Sequence, residues 1–361
     1  MKKIVTVIGA RPQFIKAAAV SRAIRAAGEI QECIVHTGQH FDNNMSSVFF
    51  EEMDIPEPDY HLEINSLSHG AMTGRMIEKI EEVLIREKPY MVIVYGDTNS
   101  TVAGALAAKK LHLKVAHVEA GLRSFNMDMP EEINRIVTDR ISDVLFCPTD
   151  NAVKNLIREG FEHFSCQIKQ VGDVMYDAAL YYGAMSSHRS DIINRLNLIP
   201  GNYLVGTVHR QENTDNIHNL KSIIEALNSI HHQIPVILPL HPRTRKILAQ
   251  NDIHPDFNII DPVGYFDMVE LLKNSCLVIT DSGGMQKEAY FFNKYCITLR
   301  DETEWVELVD EGYNFLSGAD KSKILSIFEK IRVNNRMMSG KPLYGNGDAA
   351  TIIADYLISG S

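Results

Sequence analysis

The chain has 361 residues, a length that suits two domains of ~100–200 residues better than one compact core. Its composition, with 45% hydrophobic and 23% charged residues, excludes a disordered chain, a collagen-like repeat and a disulfide scaffold. The formal net charge of −10 argues against nucleic acid or an anionic membrane as a partner. A small anionic ligand needs only a local cluster of cations, so this charge does not exclude one.

The sequence shows neither a membrane span nor a secretion signal. No apolar run approaches the ~18–20 residues that a membrane helix requires. The apolar stretch after Lys2 and Lys3 is cut short by Arg11 and Pro12, which is unlike a signal peptide. The five cysteines are odd in number and form no CxxC pair, a pattern typical of reduced thiols. We therefore predict a cytoplasmic protein without a bound metal.

The first half of the chain alternates short apolar runs with segments of helical length. The apolar runs predict buried strands at Ile4–Ile8, Glu32–His36, Met91–Tyr95, Val115–Val118 and Val144–Cys147. The other segments predict helices at Phe14–Ala27, Ser68–Glu87, Ser100–Leu111, Pro130–Ile141, Asp150–Glu159 and Val174–Gly183. This alternation is typical of a parallel sheet with helices on both faces.

A polar stretch, Ser186–Asn202, leads to a second series of the same kind. Its predicted strands are Tyr203–Val208, Pro235–Leu240, Asn258–Ile260, Leu277–Thr280 and Cys296–Leu299. Its predicted helices are Ile217–Ser229, Thr244–Leu248, Tyr265–Asn274, Gly284–Phe292, Lys321–Val333 and Asp348–Ile358. We expect two doubly wound α/β domains with a cleft between them, and ligands at the carboxyl ends of the strands.

The residues after the first two predicted strands suit an anion site. Pro12 favours a first helical turn, and Arg11 and Lys16 stand near the start of that helix, where the helix dipole attracts anions. Gln39 lies in the polar turn that follows the second strand. Neither GxGxxG nor GxxxxGK[ST] is present, which disfavours a nicotinamide enzyme and a P-loop NTPase.

Three carboxylates follow the next strands. Asp97 comes after the third strand, Glu119 comes directly after the fourth, and Glu131 opens a helix behind Pro130. Asp97 and Glu131 each have a structural explanation, because capping residues follow Asp97 and Pro-Glu-Glu is preferred in a first helical turn. Glu119 ends an apolar strand, with Arg123 four residues on, which is unusual for packing alone. Together they could line one wall of the cleft. There they would raise one another's pKa, which suits acid and base catalysis.

The strand ends of the second series carry histidines and a glycine-rich turn. His209 and His241 each stand beside an arginine, without the spacing of metal ligands. Ser282-Gly283-Gly284 joins a strand to a helix whose free N–H groups could cradle phosphate oxygens. Glu288 lies one turn further on, where it could accept hydrogen bonds from sugar hydroxyls, and Arg300 follows the last predicted strand.

These motifs resemble those of the non-hydrolysing UDP-N-acetylglucosamine 2-epimerases. The matching stretches run in order from residue 9 to residue 305: GARPQFIKAA, TGQHFD, YGDTNST, HVEAGLRS, MPEEINR, TVHRQEN, LHPRTR, DSGGMQKEA and RDETEW. The resemblance implies two Rossmann-like domains of the GT-B type: residues 1–170 with the C-terminal helix 345–361, and residues 171–344. It also implies a homodimer, and we expect the cleft to close on ligand.

The resemblance further implies a reaction without a cofactor. The C2 proton of the sugar is abstracted and UDP is expelled, leaving a 2-acetamidoglucal; UDP then adds back while C2 is protonated on the opposite face. Asp97, Glu119, Glu131 and His209 match catalytic positions, with base and acid left open. The residues that we assign to substrate binding are Arg11, Lys16, Gln39, Arg135, His241, Ser282, Gly283, Gly284, Glu288 and Arg300.

Two departures from the commoner bacterial members concern regulation and substrate. Ser68-His69-Gly70 stands where those members have an Arg-Gln pair of a regulatory UDP-N-acetylglucosamine site, and Asp42 replaces a glutamine of that site. Substrate activation is therefore not implied. RPQFIKA and TEWVE replace RPE and TERPE. These variants resemble the subgroup that epimerises UDP-2,3-diacetamido-2,3-dideoxy-glucuronate for surface polysaccharide.

The sequence leaves the substrate open between UDP-N-acetylglucosamine and that diacetamido uronate. It also leaves three other functions open: a hydrolysing epimerase that releases free N-acetylmannosamine, a GT-B glycosyltransferase, and a nucleotide-sugar sensor without turnover. A glycosyltransferase would share the fold and the nucleotide site. It would need an acceptor, however, and it would have no need of three carboxylates.

Overall fold

The computed structural model describes residues 1–39, 56–240, 242–334 and 342–360, with only the backbone of Arg11 and Asn334. Contacts divide the chain into two compact units. The first comprises Met1–Ala178 and Pro342–Ser361, and the second comprises Ala179–Lys341. Within the described ranges, no helix is long and apolar enough to cross a membrane, and no three His, Cys, Asp or Glu side chains are grouped to hold a metal.

A seven-stranded parallel sheet forms the centre of the first unit. Its strands are β1 (Lys2–Ile8), β2 (Ile30–His36), β3 (Tyr60–His61), β4 (Met91–Tyr95), β5 (Lys114–Val118), β6 (Val144–Cys147) and β7 (Gln167–Gln170). Their order in space is β3-β2-β1-β4-β5-β6-β7. The winding direction reverses between β1 and β4, so the loops after these two strands diverge. Ligands of open α/β sheets bind at such a point.

Helices cover the apolar strands of this sheet. They are α1 (Arg11–Ala27), α2 (His69–Glu87), α3 (Asn99–Lys110), α4 (Pro130–Ile141) and α5 (Asp150–Arg158), followed by α6 (Val174–Arg189), in which the first unit ends and the second begins. Small residues let α3 approach the sheet closely. A Cβ placed on Gly104 would meet Val94 at 3.0 Å and Val7 at 3.2 Å, so a larger residue there would push the helix off the sheet.

The second unit repeats this architecture with six parallel strands. They are β8 (Leu204–Thr207), β9 (Val236–Pro239), β10 (Asn258–Ile260), β11 (Leu277–Thr280), β12 (Cys296–Thr298) and β13 (Asn314–Leu316), in the spatial order β10-β9-β8-β11-β12-β13. The winding reverses between β8 and β11. The loops after these two strands carry His209 and Asp281.

The helices of the second unit follow in chain order. They are α7 (Ile192–Arg195), α8 (Gln211–Thr214), α9 (Ile217–His231), α10 (Pro242–Gln250), α11 (Tyr265–Asn274), α12 (Gly283–Phe291), α13 (Val306–Asp310) and α14 (Lys321–Asn334). The last helix, α15 (Ala349–Ser359), returns to the first unit. Both units are thus doubly wound parallel α/β structures, as the alternating pattern predicted.

The sequence prediction missed three short edge strands, the extension of α6 and the three short helices α7, α8 and α13. The missed strands, Tyr60–His61, Gln167–Gln170 and Asn314–Leu316, span two to four residues and lie at sheet edges. They lack the apolar run of a buried strand because they are paired on one side only. The predicted polar stretch Ser186–Asn202 is partly helical, since α6 continues to Arg189 and α7 follows.

Asp177 on α6 accepts a hydrogen bond from the backbone N–H of Ala350, 2.7 Å away, at the start of α15. Burial raises the pKa of Asp177 from 3.8 to about 6, with Asp173 and Asp348 adding to the rise against the backbone hydrogen bonds. The folded protein therefore holds this proton more tightly than the unfolded chain does. The stabilising contribution is complete below pH 3.8 and is lost as the pH rises through about 6.

We expect Asp177→Asn to stabilise the protein at pH 7 but not at pH 4, because the amide keeps an acceptor oxygen without the buried charge. The gain in unfolding free energy at pH 7 should be on the order of 1 kcal/mol, after allowing for the partial exposure of the side chain. Denaturant titrations at both pH values measure it. Asp355→Asn, at an exposed position of α15, is the matched control. An equal effect of Asp177→Asn at both pH values would contradict the linkage.

Candidate active site

The carboxyl ends of β1 and β2 pack directly against the start of α3. A Cβ on Gly9 would lie only 2.0 Å from Thr37 Oγ1 and 2.2 Å from Ser100 Oγ, so only glycine fits there. Gln39 joins the same group, because its Oε1 accepts hydrogen bonds from the backbone N–H and the hydroxyl of Ser100 at 3.1 and 2.8 Å. Three loops that carry predicted site residues therefore converge at this edge of the sheet.

Gln13 lies in the centre of this edge and is 1% exposed. Its Oε1 accepts hydrogen bonds from the N–H groups of Gly9 (2.8 Å) and Ala10 (3.0 Å). Its Nε2 donates to the carbonyl of Tyr95 (2.7 Å) and to Thr101 Oγ1 (2.9 Å). One amide side chain thus joins the loop of Arg11 to the strand end before Asp97. The sequence prediction did not identify this role.

We expect Gln13→Leu to lower the unfolding free energy by roughly 2 to 4 kcal/mol, since it deprives the buried N–H groups of Gly9 and Ala10 of their acceptor. A denaturant titration monitored by circular dichroism measures the loss. Gln31→Leu, at an exposed position on β2, controls for the added apolar surface. A loss no larger than that of the control would contradict the bonding role.

Lys16 and Glu119 form a nearly buried ion pair. Lys16 Nζ donates to Glu119 Oε2, and the two residues are 8% and 9% exposed. Glu119 has a left-handed backbone with φ of 72°, which is uncommon for a residue with a side chain. Its N–H and that of Ala120 both donate to the carbonyl of Phe146, at 3.1 and 3.0 Å. These two backbone hydrogen bonds stabilise the loop conformation that places the Glu119 carboxylate against Lys16.

Asp97 is paired with Arg135 of α4. Arg135 Nη2 donates to Asp97 Oδ2, and Arg135 Nη1 donates to Glu132 Oε2 at 2.9 Å. Glu132 is buried and also accepts hydrogen bonds from the backbone N–H groups of Ser124 (2.9 Å) and Phe125 (3.0 Å). Glu132 therefore holds the guanidinium of Arg135 in place, while the Asp97 side chain keeps 32% of its surface exposed.

The two glutamates of the Pro-Glu-Glu turn have different surroundings. Glu132 is 1% exposed and binds the loop before the helix, whereas Glu131 is exposed in the first turn of α4. The sequence suggested that the carboxylates would raise one another's pKa. The structure places a cation against Asp97 and another against Glu119, and the mutual effect of the carboxylates stays a prediction.

In the second unit, the ring of His209 contacts a buried aspartate, Asp281. Asp281 is fully buried and lies 3.1 Å from His209 Nδ1. Its carboxylate also accepts hydrogen bonds from the N–H groups of His209 (3.0 Å) and Arg210 (3.0 Å) and from Asn213 Nδ2 (3.1 Å). Burial acts to raise the pKa of Asp281, but His209, Asn213 and these N–H groups outweigh it and hold that pKa below its ordinary value.

The arrangement leaves the opposite edge of the His209 ring accessible, because 53% of this side chain is exposed. A carboxylate that holds Nδ1 fixes the ring orientation and directs Nε2 outward. The sequence prediction selected His209 but not Asp281. The signal was present, since Asp281 follows an apolar strand just before the glycine pair.

The start of α12 presents open backbone. Ser282 caps the helix, its Oγ accepting from the N–H of Met285 at 3.4 Å. A Cβ on Gly283 would come within 2.4 Å of Glu304 Oε1, whereas one on Gly284 would meet nothing closer than Ser282 Oγ at 4.0 Å. A side chain at position 283 would therefore require Glu304 to shift. Gly284 lies on an exposed helix start, where N–H groups bind anions.

The segment after β12 packs around this helix start. Arg300 Nη1 donates to Glu304 Oε2 at 2.9 Å, and Trp305 Nε1 donates to the carbonyl of Gly283 at 3.0 Å. Lys287, only 2% exposed, has its Nζ 4.0 Å from the centroid of the Trp305 ring, close enough for a cation–π interaction. The TEWVE variant therefore contacts the predicted phosphate site.

The remaining predicted residues are placed as follows. Glu288 lies half-buried one turn into α12. His241 and Asp42, and the side chain of Arg11, lie outside the described residues. In the first unit, one sheet edge carries five of the predicted residues: Lys16, Gln39, Asp97, Glu119 and Arg135. Glu131 lies at the nearby start of α4. In the second unit, another sheet edge carries His209, Ser282, Gly283, Gly284 and Arg300.

The chain is similar to known proteins over nearly its whole length. A sequence profile of the UDP-N-acetylglucosamine 2-epimerase family matches residues 22–358. A UDP-2,3-diacetamido-2,3-dideoxy-D-glucuronate 2-epimerase of Pseudomonas aeruginosa is 53% identical over 356 residues, 98% of this chain and 99% of that protein.

Solved structures are similar over the same length. The Methanocaldococcus jannaschii UDP-GlcNAc 2-epimerase in complex with UDP-GlcNAc and UDP has a TM-score of 0.86 at 41% identity, covering 99% of this chain and 100% of that chain. The UDP-GlcNAc 2-epimerase of Neisseria meningitidis bound to UDP-GlcNAc has a TM-score of 0.88 at 30% identity, with coverage of 99% and 100%.

The chain belongs to the UDP-N-acetylglucosamine 2-epimerase family. The fold class predicted from the sequence, two Rossmann-like domains of the GT-B type, and the predicted family are both confirmed.

Proposed function

We propose that this chain is a non-hydrolysing 2-epimerase that inverts C2 of a UDP-linked 2-acetamido sugar, with UDP-2,3-diacetamido-2,3-dideoxy-D-glucuronate as its preferred substrate. The observation that carries the proposal is a pair of carboxylate–cation contacts in a member of this family. Glu119 with Lys16 and Asp97 with Arg135 stand at the ends of neighbouring strands, β5 and β4. Acid and base groups held on a rigid sheet edge suit proton transfer at carbon.

The proposed reaction is an elimination followed by an addition. A carboxylate takes the C2 proton, the bond between C1 and the phosphate oxygen breaks, and UDP leaves with the bonding electrons. The glycal that remains has a planar C2. UDP then adds back to C1 while C2 takes a proton from the opposite face, so no atom is gained or lost. Asp97, Glu119 and Glu131 are the proposed acid and base groups.

Departure of UDP requires compensation of the charge that develops on its phosphate. In the second unit, His209 and the open backbone of Ser282-Gly283-Gly284 are the proposed groups. Glu288 is proposed to accept hydrogen bonds from the ribose. The first unit contributes the cations Arg11, Lys16 and Arg135, and Gln39, His241 and Arg300 are further proposed substrate contacts.

Two observations support the uronate as the preferred sugar. The P. aeruginosa relative named for this substrate is 53% identical, against 41% for the M. jannaschii enzyme solved with UDP-GlcNAc. In addition, Gln13 and Trp305, which mark the RPQ and TEW variants, both make hydrogen bonds at the candidate site. UDP-GlcNAc is the second candidate, favoured by the two UDP-GlcNAc-bound structures of similar fold.

Side-by-side assays of the two UDP-sugars in deuterated water test the proposal. We expect a UDP-linked C2 epimer carrying deuterium at C2, formed with the higher kcat/KM from the diacetamido uronate. Proton NMR of the anomeric and C2 signals measures both. Free sugar and UDP as major products would instead indicate a hydrolysing epimerase. Absence of turnover with either sugar would overturn the proposal.

We further propose, from family membership, that the enzyme acts as a homodimer in the cytoplasm and supplies a precursor of surface polysaccharide. Analytical ultracentrifugation of the purified chain tests the dimer. A sedimentation coefficient of a 40.6 kDa monomer across the micromolar range would contradict it.

A further inference from the structure

His117 lies in β5, two residues before Glu119, and is completely buried. Its ring joins two parts of the first unit. Nδ1 is 2.7 Å from Asp139 Oδ1 on α4, and Nε2 is 2.7 Å from the carbonyl oxygen of Gly96 at the end of β4. Both distances are those of short, well-formed hydrogen bonds.

Both partners of the ring can only accept. A backbone carbonyl has no proton to donate. Asp139 also accepts hydrogen bonds from the N–H of Gly121 (3.1 Å) and from Arg123 Nη1 (2.7 Å). Burial acts to raise the pKa of Asp139, but His117 and Arg123 outweigh it and hold that pKa below its ordinary value, so the group is ionised. To donate to both acceptors, the ring of His117 needs a proton on each nitrogen.

Asp139 is held by two further side chains of this group. It contacts both His117 and Arg123. Arg123 in turn makes a bidentate pair with Glu159, with both N···O distances 2.7 Å. A buried carboxylate such as that of Asp139 is tolerated when it is paired and hydrogen-bonded in this way.

The group holds both loops that carry the proposed catalytic carboxylates. Gly96, with φ of 63°, directly precedes Asp97, and a Cβ built on it would lie 3.2 Å from both Glu119 Oε2 and Lys16 Nζ. Asp139 holds the other loop, through the N–H of Gly121. Because the histidine ring lies between Gly96 and Asp139, it sets the spacing of the two loops.

We propose that His117, as an imidazolium bound to Asp139, is a positioning residue that holds the loops of Asp97 and Glu119 in register for proton transfer. The inference rests on the proposed function and assigns no contact with substrate to His117. A neutral ring would direct a lone pair at one of its two acceptors. The resulting repulsion would separate the loops, and a displacement of about 1 Å at reacting groups costs on the order of 100-fold in rate.

Two substitutions separate the two bonds of the ring. His117→Gln places an amide nitrogen near the position of Nε2 and keeps a donor for Gly96. His117→Asn places its amide nitrogen near Nδ1, keeping a donor for Asp139 but none for Gly96. Each variant therefore loses one buried hydrogen bond, and we expect similar decreases in Tm.

The kinetics separate positioning from stability, because a role in stability alone would leave the kcat of the folded enzyme unchanged. Each variant breaks the link from Gly96 to Asp139, so we expect each to lower kcat by about 30-fold or more at a KM within about 3-fold of the original. A kcat within about 3-fold of the original in a folded variant, in an enzyme whose unmodified form is active, would overturn the positioning role. An unmodified enzyme inactive on both UDP-sugars would overturn the proposed function instead.

A spectroscopic measurement on the unmodified protein is independent of activity and of the folding of either variant. With ¹⁵N-labelled histidine, we expect one exchange-protected histidine whose two ring nitrogens both carry protons at pH 7. The signals of His117 are assigned as those that disappear in a folded His117 variant. If neither variant folds, they are assigned as the histidine ring N–H signals that exchange most slowly with solvent. Finding a single ring N–H on the buried histidine would overturn the inference, whatever the enzyme turns over.

Discussion

Replacing Glu119 by glutamine is expected to lower kcat by at least about 100-fold, the scale of one lost acid or base group. The amide has nearly the same shape as the carboxylate, but it cannot take up a proton from carbon. It also leaves the ammonium of Lys16, which is 8% exposed, without its counter-charge. Steady-state turnover of the two UDP-sugars, together with deuterium incorporation at C2, measures the effect.

Glu78→Gln is a suitable control for this substitution. Glu78 also pairs with a cation, Arg75 at 2.8 Å, but its side chain is 54% exposed on α2, where an ion pair contributes little. We expect the control to have unchanged turnover. If Glu119→Gln still incorporates deuterium at C2 at the unmodified rate, Glu119 is neither the base nor the acid.

Asp281→Asn is expected to have the second large effect, a decrease in kcat of about 100- to 1,000-fold with KM within about 3-fold. The buried carboxylate accepts from two backbone N–H groups, from Asn213 and from the His209 ring. An asparagine must turn its NH₂ group toward some of these donors. The His209 ring would lose the anion that sets its orientation.

Asp215→Asn makes the same chemical change at an exposed site in the same unit. Asp215 pairs with Arg243 at 2.6 Å, and its side chain is 47% exposed. We expect it to leave kcat and Tm unchanged. A kcat for Asp281→Asn within about 3-fold of this control would show that His209 acts without the aspartate, or that it takes no part in the reaction.

The sequence was informative about strands and helices that the core buries. Met91–Tyr95, Pro130–Ile141 and Tyr265–Asn274 were predicted with the bounds that the structure shows. Apolar periodicity reports burial directly, and proline or capping residues mark helix starts. It was less informative at the sheet edges. Tyr60–His61 and Gln167–Gln170 are stabilised by pairing with one neighbouring strand, a contact that leaves little trace in composition.

The sequence also determined the family, since nine motifs occur in order and the family profile matches residues 22–358. Only the tertiary structure decided which of these side chains contact one another. Lys16 reaches Glu119 across 103 residues of chain, and Asp281 reaches the N–H of His209 across 72. Such pairs arise because parallel strands that are distant in sequence end at the same sheet edge. Motif order records which side chains are present, whereas strand order in the sheet sets their partners.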